Sequence, residues 1–267
     1  MGSESKVLVK KNTVYQAIRT IATVIFPLIV FPYVNRVLTP KNVGKISFCK
    51  SIISYFTLIA TLGINTYAIR ECSKAKDSKK QLEKVASQIF SINICTTFIA
   101  YIALSVCIFT IPKLNTNWGL LLILSASIFL STFGADWLNT AMEDFKYLTI
   151  RSIIFQAISL IGLLLLVHKP EDYLVYAIIS VISSSGAYLV NVIYRRKFCA
   201  IRFTIEMQWK QHFPGIILLF AMLLAQTIYT NIDTTMIGLM MNDIDVGFYS
   251  VSIKIYRLVQ QVIAALL

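Results

Sequence analysis

Charged side chains are scarce in this sequence. Of its 267 residues, 14% are Asp, Glu, Lys or Arg, whereas 57% are hydrophobic. A soluble domain carries about 25% charged residues, so this composition excludes an ordinary soluble domain of the same length.

Residues and motifs that carry chemistry are also few. The chain has five cysteines, none in a C-x-x-C pair, and its two histidines are His168 and His212. Neither a disulfide framework nor a zinc site is predicted. The sequence also lacks the G-x-x-x-x-G-K-[ST], G-x-S-x-G and H-E-x-x-H motifs, which bind nucleotide phosphates or perform hydrolysis. We expect no catalytic residues, no metal and no cofactor.

Long apolar runs are abundant instead. A run of 18 or more apolar residues is typical of a membrane-spanning helix. The sequence predicts eight such helices, at about residues 13–38, 46–69, 85–111, 118–138, 150–167, 173–194, 213–241 and 246–267. The predicted fold class is therefore an all-α integral membrane protein.

The distribution of basic residues predicts the orientation. The formal net charge is +12, and most of the Lys and Arg side chains fall in segments on one side of the predicted spans, chiefly 70–84 and 195–212. Loops rich in Lys and Arg stay in the cytoplasm. This rule predicts a cytoplasmic N-terminus and explains the charge without a nucleic-acid partner.

A short repeat connects the two ends of the chain. The sequence VGKIS at 43–47 recurs as VGFYS at 246–250, in each case between the first and second helix of a predicted six-helix unit. This placement favours parallel repeats, although three matches in five positions could arise by chance. We expect a complete six-helix lobe at 1–197, an amphipathic linker at 198–212, and the first two helices of a truncated second lobe at 213–267.

Several segments carry a resemblance to a known family. Residues 31–48, 133–160, 170–191 and 228–257 resemble Wzx-type O-antigen and polysaccharide flippases, which belong to the multidrug/oligosaccharidyl-lipid/polysaccharide exporter superfamily. The resemblance implies two six-helix lobes around a central cavity. It also implies that alternating access moves an undecaprenyl-pyrophosphate-linked oligosaccharide across the bacterial inner membrane. Membrane lipids and the polysaccharide polymerase machinery would be further partners.

Charges within predicted membrane helices are costly and indicate function. We predict that the substrate-binding charges are Arg257, Lys254, Asp233, Arg19 and Arg36. Asp233 and Lys254 would form an ion pair, which leaves Arg257 for the pyrophosphate. Alternatively, the two basic residues pack against carboxylates of the first lobe, while Arg19 and Arg36 extend to the membrane surface.

A second pair of charges lies at the predicted inner ends of the fourth and fifth helices. The resemblance suggests that Asp136 and Arg151 form a charge-paired inner gate. Ordinary solvation of both side chains in a loop is an equally good interpretation.

Two other functions compete with flipping. An exporter of cationic drugs would place acidic residues in its cavity, whereas the predicted helices contain more basic ones. A membrane enzyme that polymerises or ligates glycans would need a sizeable outer loop, and the predicted outer loops, including 112–117, are short.

Overall fold

The computed structural model describes the backbone of residues 3–266 and the side chains of residues 11–260. Helices account for most of the chain, and no strand occurs in the described residues. Twelve α-helices are found there: α1 (Ser3–Val37), α2 (Pro40–Thr61), α3 (Ile64–Lys74), α4 (Lys79–Thr110), α5 (Pro112–Thr116), α6 (Trp118–Gly134), α7 (Trp137–Ala141), α8 (Phe145–Leu166), α9 (Tyr173–Val181), α10 (Ala187–Tyr194), α11 (Trp209–Met240) and α12 (Asp243–Leu266).

The helices confirm an all-α, multi-pass membrane protein. Within the described residues, six segments are long and apolar enough to cross a membrane: Lys11–Val37, Pro40–Lys74, Lys79–Thr110, Phe145–Leu166, Pro170–Lys197 and Trp209–Met240. The predicted span at 118–138 corresponds to α6, which is shorter, with 17 residues. The predicted span at 246–267 corresponds to α12, whose 24 residues include Lys254 and Arg257.

Two spans deviate from regular helix geometry. The span Pro40–Lys74 breaks at Leu62 and Gly63, which both have positive φ (43° and 75°). Glycine adopts this backbone conformation without steric cost, and a Cβ at Gly63 would lie 2.9 Å from the Cβ of Leu219. The span Pro170–Lys197 contains a π-helical turn at Ile182–Gly186.

Contacts group the chain into two compact units. Unit 1 comprises residues 1–48, 144–184 and 234–267, and unit 2 comprises residues 49–143 and 185–233. The division at 197 and 212 that the repeat predicts stays a prediction.

In unit 1, α1 packs along α8, α9 contacts α8, and α12 contacts α1. Side-chain hydrogen bonds hold both ends of the α1–α8 pair. The Thr149 hydroxyl donates to the carbonyl of Tyr15 at 2.9 Å, and the Tyr33 hydroxyl donates to the carbonyl of Val167 at 2.8 Å. Such bonds hold membrane helices together where apolar burial contributes little.

The first turns of α2 and α12 also meet in unit 1. A Cβ at Gly44 would overlap the backbone carbonyl of Asp243, and a Cβ at Gly247 would overlap the backbone carbonyl of Pro40. Small residues allow membrane helices to approach this closely. The two glycines are the ones that the VGKIS and VGFYS segments share.

Unit 2 contains a hydrophobic core that includes Ile64, Cys72, Ile89, Leu138 and Cys199. Hydrogen bonds between neighbouring helices also lie inside it. Asn93 Nδ2 donates to the carbonyl of Ala60 at 2.8 Å, and the hydroxyls of Thr97 and Thr132 are 2.7 Å apart. These bonds connect α4 to α2 and to α6.

The segment before α11 is extended rather than helical. Its backbone is held by α4, because the N–H of Arg202 donates to the Ser87 hydroxyl at 3.1 Å and the N–H of Thr204 donates to the Ser91 hydroxyl at 2.8 Å. Cys199 is fully buried, and burial raises the pKa of its thiol to about 11.

Candidate functional site

A cavity of about 240 Å³ lies in unit 1 between α1 and α12. Its lining residues come from three helices. They are Thr23, Pro27, Val30, Phe31, Val34 and Asn35 of α1, Tyr176 of α9, and Lys254, Arg257 and Leu258 of α12.

The sequence of α1 explains how it forms one wall. Thr23, Pro27, Phe31 and Asn35 are spaced four residues apart, which places them on one face of a helix. Pro27 has no N–H, so it cannot donate the usual helical hydrogen bond to the carbonyl of Thr23. The cavity is therefore lined by a helix face that combines an aromatic ring, an amide and a proline.

The opposite wall carries the charge. Lys254 and Arg257 are three residues apart on α12 and both line the cavity, as their helical spacing predicts. Lys254 Nζ lies 5.6 Å from the centre of the Phe31 ring, within the range of a cation–π interaction. Lys254 and Phe31 thus connect the two walls of the cavity.

The cavity is electropositive. Among the ten described residues that line it, two are basic and none is acidic. Two cations on one wall attract an anion, and this attraction weakens as added salt screens the charges. The arrangement is therefore chemically suited to a group with negative charge.

The remaining predicted substrate-binding residues do not line this cavity. Arg19 is half-buried on α1, one turn before Thr23, and Arg36 is exposed beside Asn35. Asp233 lies on α11, and its ion pair with Lys254 stays a prediction.

The two residues of the predicted inner gate fall in different units, and their pairing also stays a prediction. In unit 2, Asp136 Oδ1 accepts a hydrogen bond from Asn139 Nδ2 at 3.4 Å. In unit 1, Arg151 is buried, and its guanidinium carbon lies 5.1 Å from the centre of the Tyr147 ring.

Sequence reasoning missed the uncharged part of the cavity. Phe31, Asn35 and Tyr176 line it, whereas the residues predicted from the sequence were all charged. The sequence did contain one signal. Asn35 is a polar amide in an apolar helix, and it lies one turn after Phe31 and close to Pro32. No group of three or more potential metal ligands occurs among the described residues.

The chain matches one family of known proteins and is similar to two curated relatives. A family model described as polysaccharide biosynthesis protein matches residues 9–267. Two curated relatives carry the name "Putative O-antigen transporter". The relative from Escherichia coli (strain K12) is 25% identical over 189 residues, and the relative from Shigella dysenteriae is 22% identical over 254 residues.

The relatives are longer than this chain. The aligned parts cover 71% and 92% of the chain but 45% and 62% of the respective relatives. The chain therefore spans about half to two thirds of the length of the curated relatives that it matches. No solved structure matches the chain.

Proposed function

The chain belongs to the polysaccharide biosynthesis protein family, and we propose that it translocates an undecaprenyl-pyrophosphate-linked oligosaccharide across the bacterial inner membrane by alternating access. The observation that carries this proposal is the convergence of Lys254 and Arg257 on one cavity without an acidic lining residue among those described. The names of the two curated relatives support transport of O-antigen.

The pyrophosphate is the part of this substrate that the cavity would hold. The planar guanidinium of Arg257 can donate two parallel hydrogen bonds to one phosphate, which a lysine cannot do. Lys254 would add a point charge, and its amine lies 5.6 Å from the centre of the Phe31 ring, which also lines the cavity. Two cations suit a group that carries two or more negative charges.

The sugar would meet the uncharged lining. Asn35, Thr23 and Tyr176 offer hydrogen-bonding groups, and aromatic faces such as Phe31 suit the apolar face of a sugar ring. Pockets that enclose a drug-sized ligand measure about 300–1,000 Å³. Since this cavity is smaller, we propose that it holds the pyrophosphate and the adjoining sugar, while the rest of the oligosaccharide lies outside it.

Export of cationic drugs is the second candidate function, but the cavity favours it less. A cationic drug would require an acidic partner in the cavity, and the described lining residues include none. A glycan polymerase or ligase is less compatible still, since α4 and α6 are connected through the short helix α5 alone. We propose polysaccharide polymerase machinery as a partner and not as an activity of this chain.

Ligand binding tests the proposal directly. The chain is purified and placed in nanodiscs, and binding of undecaprenyl pyrophosphate, undecaprenyl alcohol and ethidium is compared. We expect undecaprenyl pyrophosphate to bind at least tenfold more tightly than the alcohol, and the difference to shrink as salt screens the charges. We expect Arg257→Ala to remove most of this preference.

Arg36→Ala is the matched control, because Arg36 is an exposed arginine near the same cavity that does not line it. The control should bind undecaprenyl pyrophosphate like the wild type. Equal affinity of the wild type for the pyrophosphate and the alcohol, or a preference for ethidium, would refute the proposed function.

A further inference from the structure

A buried histidine holds the beginning of α11 against two neighbouring helices in unit 2. His212 is 2% exposed, although it is only three residues from the start of α11. Its ring contacts Tyr67 of α3 and Gln88 of α4, which are both buried. The proposed transport mechanism uses none of these three residues.

The hydrogen bonds define the tautomer of the imidazole. His212 Nε2 lies 3.2 Å from Gln88 Oε1, which can only accept, so Nε2 carries the proton. His212 Nδ1 lies 2.9 Å from the hydroxyl oxygen of Tyr67. Nδ1 therefore accepts from that hydroxyl, and the neutral ring satisfies both of its nitrogens.

Among the described residues of α3, α4 and α11, the charged side chains near the ring give a protonated imidazole no unengaged counter-ion. On α3, Arg70 lies 5.4 Å from the centre of the Tyr67 ring, and the carboxylate of Glu71 is already paired with Arg70 and Lys74, each at 3.0 Å. On α4 the nearest charge along the helix is the exposed Lys84, and on α11 it is the exposed Lys210.

The packing around the ring is tight. A Cβ at Gly215, one turn after His212, would lie 2.5 Å from the Tyr67 ring and 3.2 Å from Arg70 Nη2. The backbone of α11 therefore lies directly against the side chains of α3. The ring has little room to turn away from Tyr67 while α11 stays in place.

We propose that His212 is a proton-binding site, and that protonation of its ring releases the beginning of α11 from α3 and α4. A second proton would turn Nδ1 from an acceptor into a donor that faces the Tyr67 hydroxyl. The hydroxyl hydrogen would then have to point elsewhere, and the pocket would hold a cation without a carboxylate of its own. Histidine gains this proton in the range of physiological pH.

Protonation would consequently favour a conformation in which the ring reaches water. A ligand shifts an equilibrium by its difference in affinity for the two states, and here the ligand is a proton. The released element would be residues 209–216, which begin the helix that follows the extended segment. This inference concerns unit 2 and does not depend on which substrate the cavity of unit 1 binds.

Hydrogen exchange of the wild-type chain at two pH values tests the proposal. Protection factors correct for the intrinsic pH dependence of exchange, so they report opening alone. Between pH 7.5 and pH 5.5 we expect the protection of amides 209–216 to fall at least tenfold. The same fall is expected in His168→Gln, which removes the other histidine, and no fall is expected in His212→Gln.

Tyr67→Phe provides a second variant that keeps the ring packing. It removes the donor that stabilises the neutral imidazole, so the midpoint of opening should move to higher pH. Histidine-selective NMR adds a direct readout, because the chain has two histidines and His168→Gln assigns them. Opening that is unchanged in His212→Gln, or a wild-type His212 signal that titrates without any loss of protection, would overturn the proposal.

Discussion

Gly44 and Gly247 lie against each other at the point where the first turns of α2 and α12 cross. A Cβ at Gly44 would stand 2.8 Å from the backbone nitrogen of Gly247 and would also overlap the carbonyl of Asp243. A Cβ at Gly247 would in turn overlap the carbonyl of Pro40. Pro40 and Asp243 are separated by the same number of residues as Gly44 and Gly247. Each glycine therefore contacts the residue that lies one turn before the other glycine. A reciprocal contact of this kind is expected at a two-fold axis, and the repeat itself stays a prediction.

Substitution of either glycine should therefore destabilise the protein. We expect Gly44→Ala and Gly247→Ala each to lower the free energy of unfolding by about 1–3 kcal/mol, because each added methyl group meets backbone. The effects of the two changes should not add, since both disturb one contact. Unfolding by denaturing detergent measures the difference. Gly119→Ala is the control, because nothing lies within 4 Å of its added Cβ.

The geometry of the Arg257 side chain should matter as much as its charge. We expect Arg257→Lys to weaken binding of undecaprenyl pyrophosphate about tenfold, since lysine keeps the charge but loses the second parallel hydrogen bond. Titration of the lipid into nanodiscs that contain the chain provides the measurement. An affinity equal to that of the wild type would show that Arg257 acts as a point charge alone.

Labelling with a membrane-impermeant thiol reagent tests the predicted orientation. We expect Asn115→Cys to react from the periplasmic side and Ser78→Cys to react only after the cells are opened, because both positions are exposed and lie beyond opposite ends of α4. Native Cys72 is unsuitable as the inner reporter, since it is fully buried. Reaction of Ser78→Cys in intact cells would reverse the orientation.

Adjacent arginines after α10 should differ sharply in their effect on stability. Arg195 donates from Nη1 to the carbonyl of Phe133 at 2.8 Å, and its guanidinium carbon lies 4.9 Å from the centre of the Phe90 ring. We expect Arg195→Met to lower the free energy of unfolding by about 1.5–3 kcal/mol, which is typical of a lost hydrogen bond to a charged group. Arg196→Met should change it little, because Arg196 is exposed. Equal effects would show that the hydrogen bond of Arg195 does not stabilise the fold.

The helical part of the fold was predictable because apolar runs of bilayer length leave the backbone few alternatives to a helix. The extended conformation of the segment 198–208 was not predicted. Phe203 and Ile205 alternate with Arg202 and Thr204 at a period of two, which suits an extended chain better than a helix. We predicted an amphipathic linker from this pattern. The serines of α4 that accept hydrogen bonds from its backbone and hold it extended lie far away in the sequence.

The candidate site was predictable only in its charges. Lys254 and Arg257 stand out because burial of a cation in a membrane is costly. Phe31, Asn35 and Tyr176 do not stand out, since an aromatic ring or an amide in a membrane helix has many other uses. Their part in the cavity depends on which face of α1 turns towards α12, and that is a property of packing.

The length of α1 connects the cavity to the lipid around the protein. The span Lys11–Val37 has 27 residues, which amounts to about 40 Å of helix at 1.5 Å per residue, whereas the hydrocarbon core of a bilayer is about 30 Å thick. A helix longer than the core tilts or bends, and the bend is easiest where proline has removed a hydrogen bond. In α1 those places are Pro27, which lines the cavity, and Pro32, which follows Phe31. The distance between Phe31 and Lys254 should therefore differ between a thin bilayer and a thick one.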